Sequence, residues 1–246
     1  VLIGAAMKRA SPSETLFSRV LRLVRPAGRG LPRGLRRLPL VEERAERPGR
    51  TFAFVFSGDG NWAILVRAMA RELAKHGVPS VGLKARTYLL RRRTPREVAR
   101  HVESVLRHFF KAWEMDDVVL VGLSRGADLL PFAVRRLPDE LRGRVRAMVL
   151  LSPGHSTNFR FYWADLFGWH PRPDDVSLIP ELTALKGMRI VIVNGVDDPS
   201  ALCPHLPPGI AECIEVDTGH NLDRDHLLAA EVVLDHLDVS RSRAAS

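Results

Sequence analysis

Long apolar runs are missing from this chain of 246 residues. A membrane-spanning helix needs roughly eighteen or more such residues in a row, and no stretch supplies them. Cysteine is scarce as well: only Cys203 and Cys213 occur. His205 is the one histidine beside them, and further ligands in a recognisable metal-site spacing are absent. Neither the long phosphate-loop pattern nor the dinucleotide fingerprint appears among the glycines, which removes the usual nucleotide-binding readings. No helix-turn-helix, zinc-finger or RNA-binding sheet signature is present either, and nucleic acid is not a favoured partner. The chain opens on Val1, as a fragment or a processed product is expected to do, so a targeting segment is neither inferred nor excluded.

What is present is one core's worth of apolar residues, 46% of the chain, and one main domain is expected. The net charge of +9 is unevenly spread. Residues 1–50 hold twelve Lys/Arg against four Glu, whereas residues 51–246 hold twenty-five basic against twenty-four acidic residues. The basic character thus belongs to a leader. Residues 1–37 are rich in Arg, Gly and Pro, with a short amphipathic patch from Thr15 to Val24 and a linker-like stretch from Gly28 to Arg37. Such a leader suits anionic headgroups, nucleic acid, an acidic partner or solvent. The compact domain is expected over 38–240.

Within it, strands and helices alternate. Leu38–Glu42 is a candidate edge strand. Phe52–Phe56 follows Pro48-Gly49 as a buried strand. Ala63–His76 has helical spacing through Leu65, Met69 and Leu73, and Val78–Leu83 is the next strand. Thr94-Pro95-Arg96-Glu97 opens a helix with a cap, a proline at its first position and a glutamate at its third. That helix runs to about Trp113 with Val98, Val102, Val105, Leu106 and Phe109 inward. Asp117–Val121, Val145–Leu151, Arg189–Asn194 and Ala211–Val216 are further strands. Arg125–Arg136 is a helix, irregular or kinked at Pro131, and Asp223–Leu237 is the last. From Ser152 to Leu185 the rhythm breaks, and Phe159, Phe161, Tyr162, Trp163, Phe167 and Trp169 gather in an excursion over the sheet's carboxyl edge. Strands this continuously apolar imply a mostly parallel sheet covered on both faces, with ligands met at its carboxyl ends.

One of those ends carries Gly122-Leu123-Ser124-Arg125-Gly126. A strand, a sharp turn with one serine and a helix form the context in which G-x-S-x-G becomes a nucleophile elbow. A serine hydroxyl needs a base and an orienting carboxylate. In the hydrolase order these follow as acid and then histidine. Asp198, three residues past Gly195, is the favoured acid and Asp197 the alternative; Asp217 is read as shaping the Gly219 turn. His220 is the favoured base, ahead of His205 and His226, and His155 is placed in the pocket lining. An oxyanion hole needs aimed N–H donors. Arg125, one past the serine, supplies one, and Gly58 or Asp59, after the first core strand, the other. The Asp59 side chain could instead cap the nearby helix.

The segments Ser57-Gly58-Asp59-Gly60-Asn61-Trp62, Tyr88–Pro95, Gly122–Pro131 and Gly219-His220-Asn221 resemble the AcvB/VirJ family of bacterial virulence-associated proteins, over roughly residues 38–238. Three positions depart from its usual pattern: Asn61 stands for a second glycine, Arg125 for an aromatic residue and Asn221 for a second histidine. The resemblance implies an α/β-hydrolase, a three-layer sandwich around a mostly parallel central sheet. It also implies a periplasmic enzyme that releases the amino acid from aminoacylated phosphatidylglycerol, notably the lysyl form, at a membrane surface. Ser124, His220 and Asp198 would be nucleophile, base and acid, with no metal or organic cofactor. Asp59, with Asn61, Trp62, Tyr88 and His155, would meet the substrate, Asp59 recognising its ammonium. Trp62, Tyr88 and the aromatics of 159–169 would touch acyl chains or the interface, unless they are ordinary packing. From spacing alone, Cys203 and Cys213 fit either a disulfide, given an oxidising compartment, or two buried thiols; the periplasmic location implied by the resemblance favours the disulfide. Three other readings stand beside this one: a hydrolase of another small ester or thioester, a non-catalytic accessory protein of an envelope or secretion system, and a membrane or nucleic-acid module built on the basic leader.

Overall fold

The computed structural model describes residues 25–26, 30–62, 64–164, 172–220, 222 and 225–237. The amphipathic patch at 15–24, Phe167, Trp169 and Asn221 lie outside the described residues. Eight strands form one sheet: β1 (Arg25–Pro26), β2 (Leu40–Glu43), β3 (Thr51–Phe56), β4 (Ser80–Leu83), β5 (Asp117–Leu123), β6 (Val145–Leu151), β9 (Ile190–Gly195) and β10 (Glu212–Val216). Their order is β1-β2-β4-β3-β5-β6-β9-β10. Strand β2 runs antiparallel to both its neighbours and all other pairings are parallel. A second, two-stranded ribbon, β7 (Ser156–Thr157) with β8 (Val176–Ser177), belongs to the excursion.

Side-chain alternation along the central strands divides the interior into two cores. Phe52, Phe54, Phe56, Val118, Leu120, Met148, Leu150 and Ile192 face one side. There they meet Val98, Val102 and Leu106 of α3 (Pro95–Ala112) and Leu129 of α4 (Arg125–Val134). Ala53, Val55, Val119, Val121, Val149 and Val193 face the other, against Leu65, Met69 and Leu73 of α1 (Ile64–Lys75) and Ala229 and Val233 of α7 (His226–Asp235). This is the three-layer arrangement of an α/β-hydrolase. Short helices α2 (Ala85–Leu89), α5 (Asp139–Arg142) and α6 (Ile179–Thr183) complete the described set.

The start of α3 follows its sequence closely. Thr94 accepts the Glu97 N–H at 3.2 Å and donates its own N–H to the Glu97 carboxylate at 2.9 Å, so two orphan donors are satisfied reciprocally. Helix α4 continues through Pro131. Two readings are corrected near the beginning. Strand β2 is not at the edge, because β1 pairs beyond it. The stretch read as linker contributes Leu31 and Leu35 to the core, the latter within a single 3-10 turn. Arg- and Gly-rich composition hid these two anchoring leucines.

Among the described residues no helix is long and apolar enough to cross a membrane. Cys203 and Cys213 form a disulfide, with Cα atoms 6.1 Å apart. It ties the loop after β9 to β10. Opening this ten-residue separation by reduction, or by replacing both cysteines with Ser, is expected to cost about 2–3 kcal/mol of stability from loop entropy. Urea unfolding with and without reductant measures it; an unchanged midpoint contradicts it.

Candidate active site

Close packing shapes the elbow. A Cβ on Gly126 would lie 2.0 Å from the Phe56 carbonyl oxygen, and one on Gly122 would lie 2.5 Å from the Ala127 Cα. Only glycine lets α4 start this near to β3 and β5. The chain turns between them through Ser124, held at φ 48° and ψ −120°, a conformation that costs a non-glycine residue free energy and concentrates at functional sites. The Ser124 N–H donates to the Leu151 carbonyl at 2.8 Å. Its side chain thereby stands clear at the carboxyl end of β5.

The hydroxyl Oγ lies 2.9 Å from His220 Nε2, and His220 Nδ1 lies 2.7 Å from Asp198 Oδ2. Serine, imidazole and carboxylate come from the ends of β5, β10 and β9, three loops on one rim. Asp198 is buried, whereas Asp197 and Asp217 are exposed; geometry therefore singles out Asp198. Burial pushes its pKa up, but hydrogen bonds from Ser200 and His220 outweigh this and hold the carboxyl below its ordinary value. Ser200 was not anticipated. Its N–H and hydroxyl donate to Asp198 Oδ1 at 2.9 and 2.6 Å, fixing the carboxylate so that Oδ2 faces the ring. Nothing but its position two residues past the acid could have signalled this.

Gly58 lies against the serine: a Cβ there would stand 3.1 Å from the Leu123 oxygen and 3.3 Å from the Ser124 Cβ. Arg125 opens α4, so its N–H has no acceptor within the helix. Gly58 thus adjoins Ser124 in space and Arg125 follows it in sequence, the two positions named as oxyanion donors. The Arg125 side chain is buried. Its Nε stands 3.5 Å from Asp59 Oδ2 and its Nη1 donates to Thr157 Oγ1 at 3.2 Å. One turn on, Asp128 Oδ1 accepts the Gly154 N–H at 2.9 Å. The first turn of α4 thus holds both walls of the site: the loop after β3 through Asp59, and the excursion through Thr157 and Gly154.

Other candidates fall elsewhere. Trp62 is buried with its ring over Gly82, where an added Cβ would sit 1.9 Å from the indole. Tyr88 is also buried, its hydroxyl 2.7 Å from His101 Nδ1 and its ring edge-on to Phe56. Both rings are packed into the cores that flank the sheet. Asn61 takes a positive φ of 56° and accepts the Thr87 N–H at 3.1 Å, which pins the loop to α2. His155 packs against His205, ring centres 5.7 Å apart. His226 opens α7. Phe161 is buried, Phe159 packs on Phe132 at 5.2 Å, and Trp163 is exposed. No group of three or more His, Cys, Asp or Glu suited to a metal occurs among the described residues.

Known proteins agree with this architecture. The description "Bacterial virulence protein (VirJ)" matches residues 50–241. The chain belongs to the VirJ family. No curated protein matches it significantly. Among solved structures it is similar to Est1E from Butyrivibrio proteoclasticus, with TM-score 0.55 and 12% identity, covering 81% of this chain and 95% of that one. It is likewise similar to TT1662 from Thermus thermophilus, with TM-score 0.54, 16% identity and coverages of 81% and 93%. XC6422 from Xanthomonas campestris, described as a serine hydrolase without lid, gives TM-score 0.54, 14% identity and coverages of 81% and 88%. At such identities the likeness is one of fold. In this VirJ-family chain the fold is that of the α/β-hydrolases.

Asp128 offers a test of the buried network. Burial drives its pKa up to about 7, against opposing contributions from Arg125, the Gly154 N–H and His220, with Asp59 adding to the rise. A carboxyl with a raised folded pKa stabilises fully below the unfolded value, and that contribution is lost as pH rises through the folded value. Asp128→Asn removes this loss. Urea unfolding at about pH 5 and about pH 8 should show the variant gaining on the parent protein at the higher pH. A pH-independent difference contradicts the assignment.

Proposed function

We propose that this protein is a serine ester hydrolase that releases the amino acid from aminoacylated phosphatidylglycerol, the lysyl form favoured, in the bacterial periplasm. The observation that carries the catalytic part is the continuous chain Ser124 Oγ–His220 Nε2 at 2.9 Å and His220 Nδ1–Asp198 Oδ2 at 2.7 Å. The lipid substrate rests on the resemblance to AcvB/VirJ proteins. A disulfide suits an oxidising compartment outside the cytoplasm.

In this reading His220 Nε2 takes the hydroxyl proton as Ser124 Oγ attacks the aminoacyl carbonyl. Asp198 holds the ring in the required tautomer and stabilises the imidazolium. The N–H groups of Arg125 and of Gly58 or Asp59 receive the oxyanion. His220 then protonates the departing glycerol oxygen, and phosphatidylglycerol leaves. Water, activated by the same imidazole, cleaves the acyl-enzyme and frees the amino acid. No step calls for a metal or an organic cofactor.

One observation favours a second reading, a hydrolase of another small ester or thioester. The Arg125 guanidinium stands 3.5 Å from Asp59, so a substrate ammonium would share that carboxylate with a cation already in place. A panel of lysyl-, alanyl- and unmodified phosphatidylglycerol, with both products read by mass spectrometry, distinguishes the readings. Release of lysine from the lysyl lipid is expected, lost in Ser124→Ala and reduced about 10²–10⁴-fold in Asp198→Asn. Intact aminoacyl lipids alongside turnover of simple esters would favour the second reading. Undiminished turnover in Ser124→Ala would remove the serine from the mechanism, and inertness toward every ester would leave the fold as an accessory protein.

A further inference from the structure

The segment after β4 concentrates positive charge in a domain that is otherwise almost balanced. Residues 84–100 carry seven Lys/Arg and one Glu, whereas residues 51–246 as a whole are nearly neutral. Arg91 and Arg92 are exposed, and so is Leu90 just before them, at 55%. The backbone joins this segment to the excursion: the Phe161 N–H donates to the Leu89 carbonyl at 3.0 Å and the Arg93 N–H to the Phe159 carbonyl at 2.8 Å. That pairing places Trp163, 67% exposed, and the exposed Arg160 on the same surface. Trp163 rests edge-on against the buried Phe161, ring centres 5.3 Å apart, so its indole is braced from below while one side faces solvent. Arg172 stands 4.1 Å from the Tyr162 ring centre and Arg160 5.4 Å. Asp174 offsets part of the charge by pairing with Arg92 at 3.4 Å.

Both segments leave the carboxyl ends of their strands, β4 and β6, and therefore lie on the edge of the sheet that carries Ser124. The excursion is also tied to the elbow helix through Thr157 and Gly154. We propose that this rim, formed by Leu90, Arg91, Arg92, Arg160 and Trp163, is a docking surface for an anionic phospholipid bilayer. An indole and an aliphatic side chain at the headgroup level, ringed by guanidinium groups, combine shallow apolar burial with attraction to lipid phosphate. Charge complementarity selects the occupant: an array dominated by arginine meets a negative surface. Docked in this way, the protein would present the serine edge to the membrane. The proposal rests on the lipid-ester reading but is measured separately from it.

The test is co-sedimentation of the full chain with vesicles of unmodified phosphatidylglycerol mixed with phosphatidylcholine, compared with phosphatidylcholine alone. Binding is expected only to the anionic vesicles and should weaken with salt. Reversing two charges with Arg91→Glu and Arg92→Glu should lower the partition coefficient by about tenfold or more. Trp163→Ala should lower it by about threefold or more. In parallel, fluorophosphonate labelling of Ser124 in the charge-reversed variant reports that the fold is intact. Equal binding to both vesicle types would overturn the proposal, as would unchanged binding by the charge-reversed variant, which would assign the attraction to another part of the chain. Normal vesicle binding without release of any amino acid would count against the substrate and leave the docking surface in place.

Discussion

The close approach of β3, β5 and α4 around Ser124 is the constraint on which the site depends. Gly126 meets the Phe56 carbonyl and Gly122 meets Ala127 at separations that leave no room for a side chain. The left-handed backbone at Ser124 follows from that crowding, since the chain must reverse from strand to helix within one residue. The strain is sustained because β5 is paired on both sides and buried on both faces. A rigid sheet therefore projects a hydroxyl, and the imidazole and carboxylate reach it from strands farther along the same edge. Local energetic cost and functional geometry have one origin.

Around this point the charges are arranged in two layers. The outer layer is the chain from serine to His220 to Asp198, with Ser200 holding the acid's second oxygen. The inner layer is Arg125 with Asp59, Thr157 and the adjacent Asp128. Burying a guanidinium costs several kcal/mol unless carboxylates and hydrogen bonds compensate it, and here they do so by linking the elbow to both loops that wall the site. The Arg125 side chain belongs to this bracket, one residue past Ser124.

Much of this was legible in the residues, and the reasons are specific. Val118–Val121 running into Gly122-Leu123-Ser124 could only be a buried strand meeting a turn, and Thr94-Pro95-Arg96-Glu97 named its own helix start. The order of Ser124, Asp198 and His220 along the chain matched the order of strand ends in the sheet. Other features were hidden because they are set by distant packing. Trp62 and Tyr88 look like ligand-binding aromatics beside polar loops, yet Gly82 and His101 draw them inward. Leu31 and Leu35 sit in a composition that reads as linker. The Arg125–Asp59 pair joins residues from two loops with no common motif, and Ser200 is an ordinary serine until the Asp198 carboxylate is placed beside it. Choosing between Asp197 and Asp198 required knowing which of two adjacent side chains turns inward.

The most direct test of the account is the reactivity of one hydroxyl. Incubating the protein with a fluorophosphonate and reading intact mass and peptide maps should give one adduct per chain, on Ser124. Labelling should be abolished in Ser124→Ala and greatly slowed when His220→Gln removes the base. Adducts on a different residue, or undiminished labelling after Ser124→Ala, would contradict the claim that the strained turn presents an activated nucleophile.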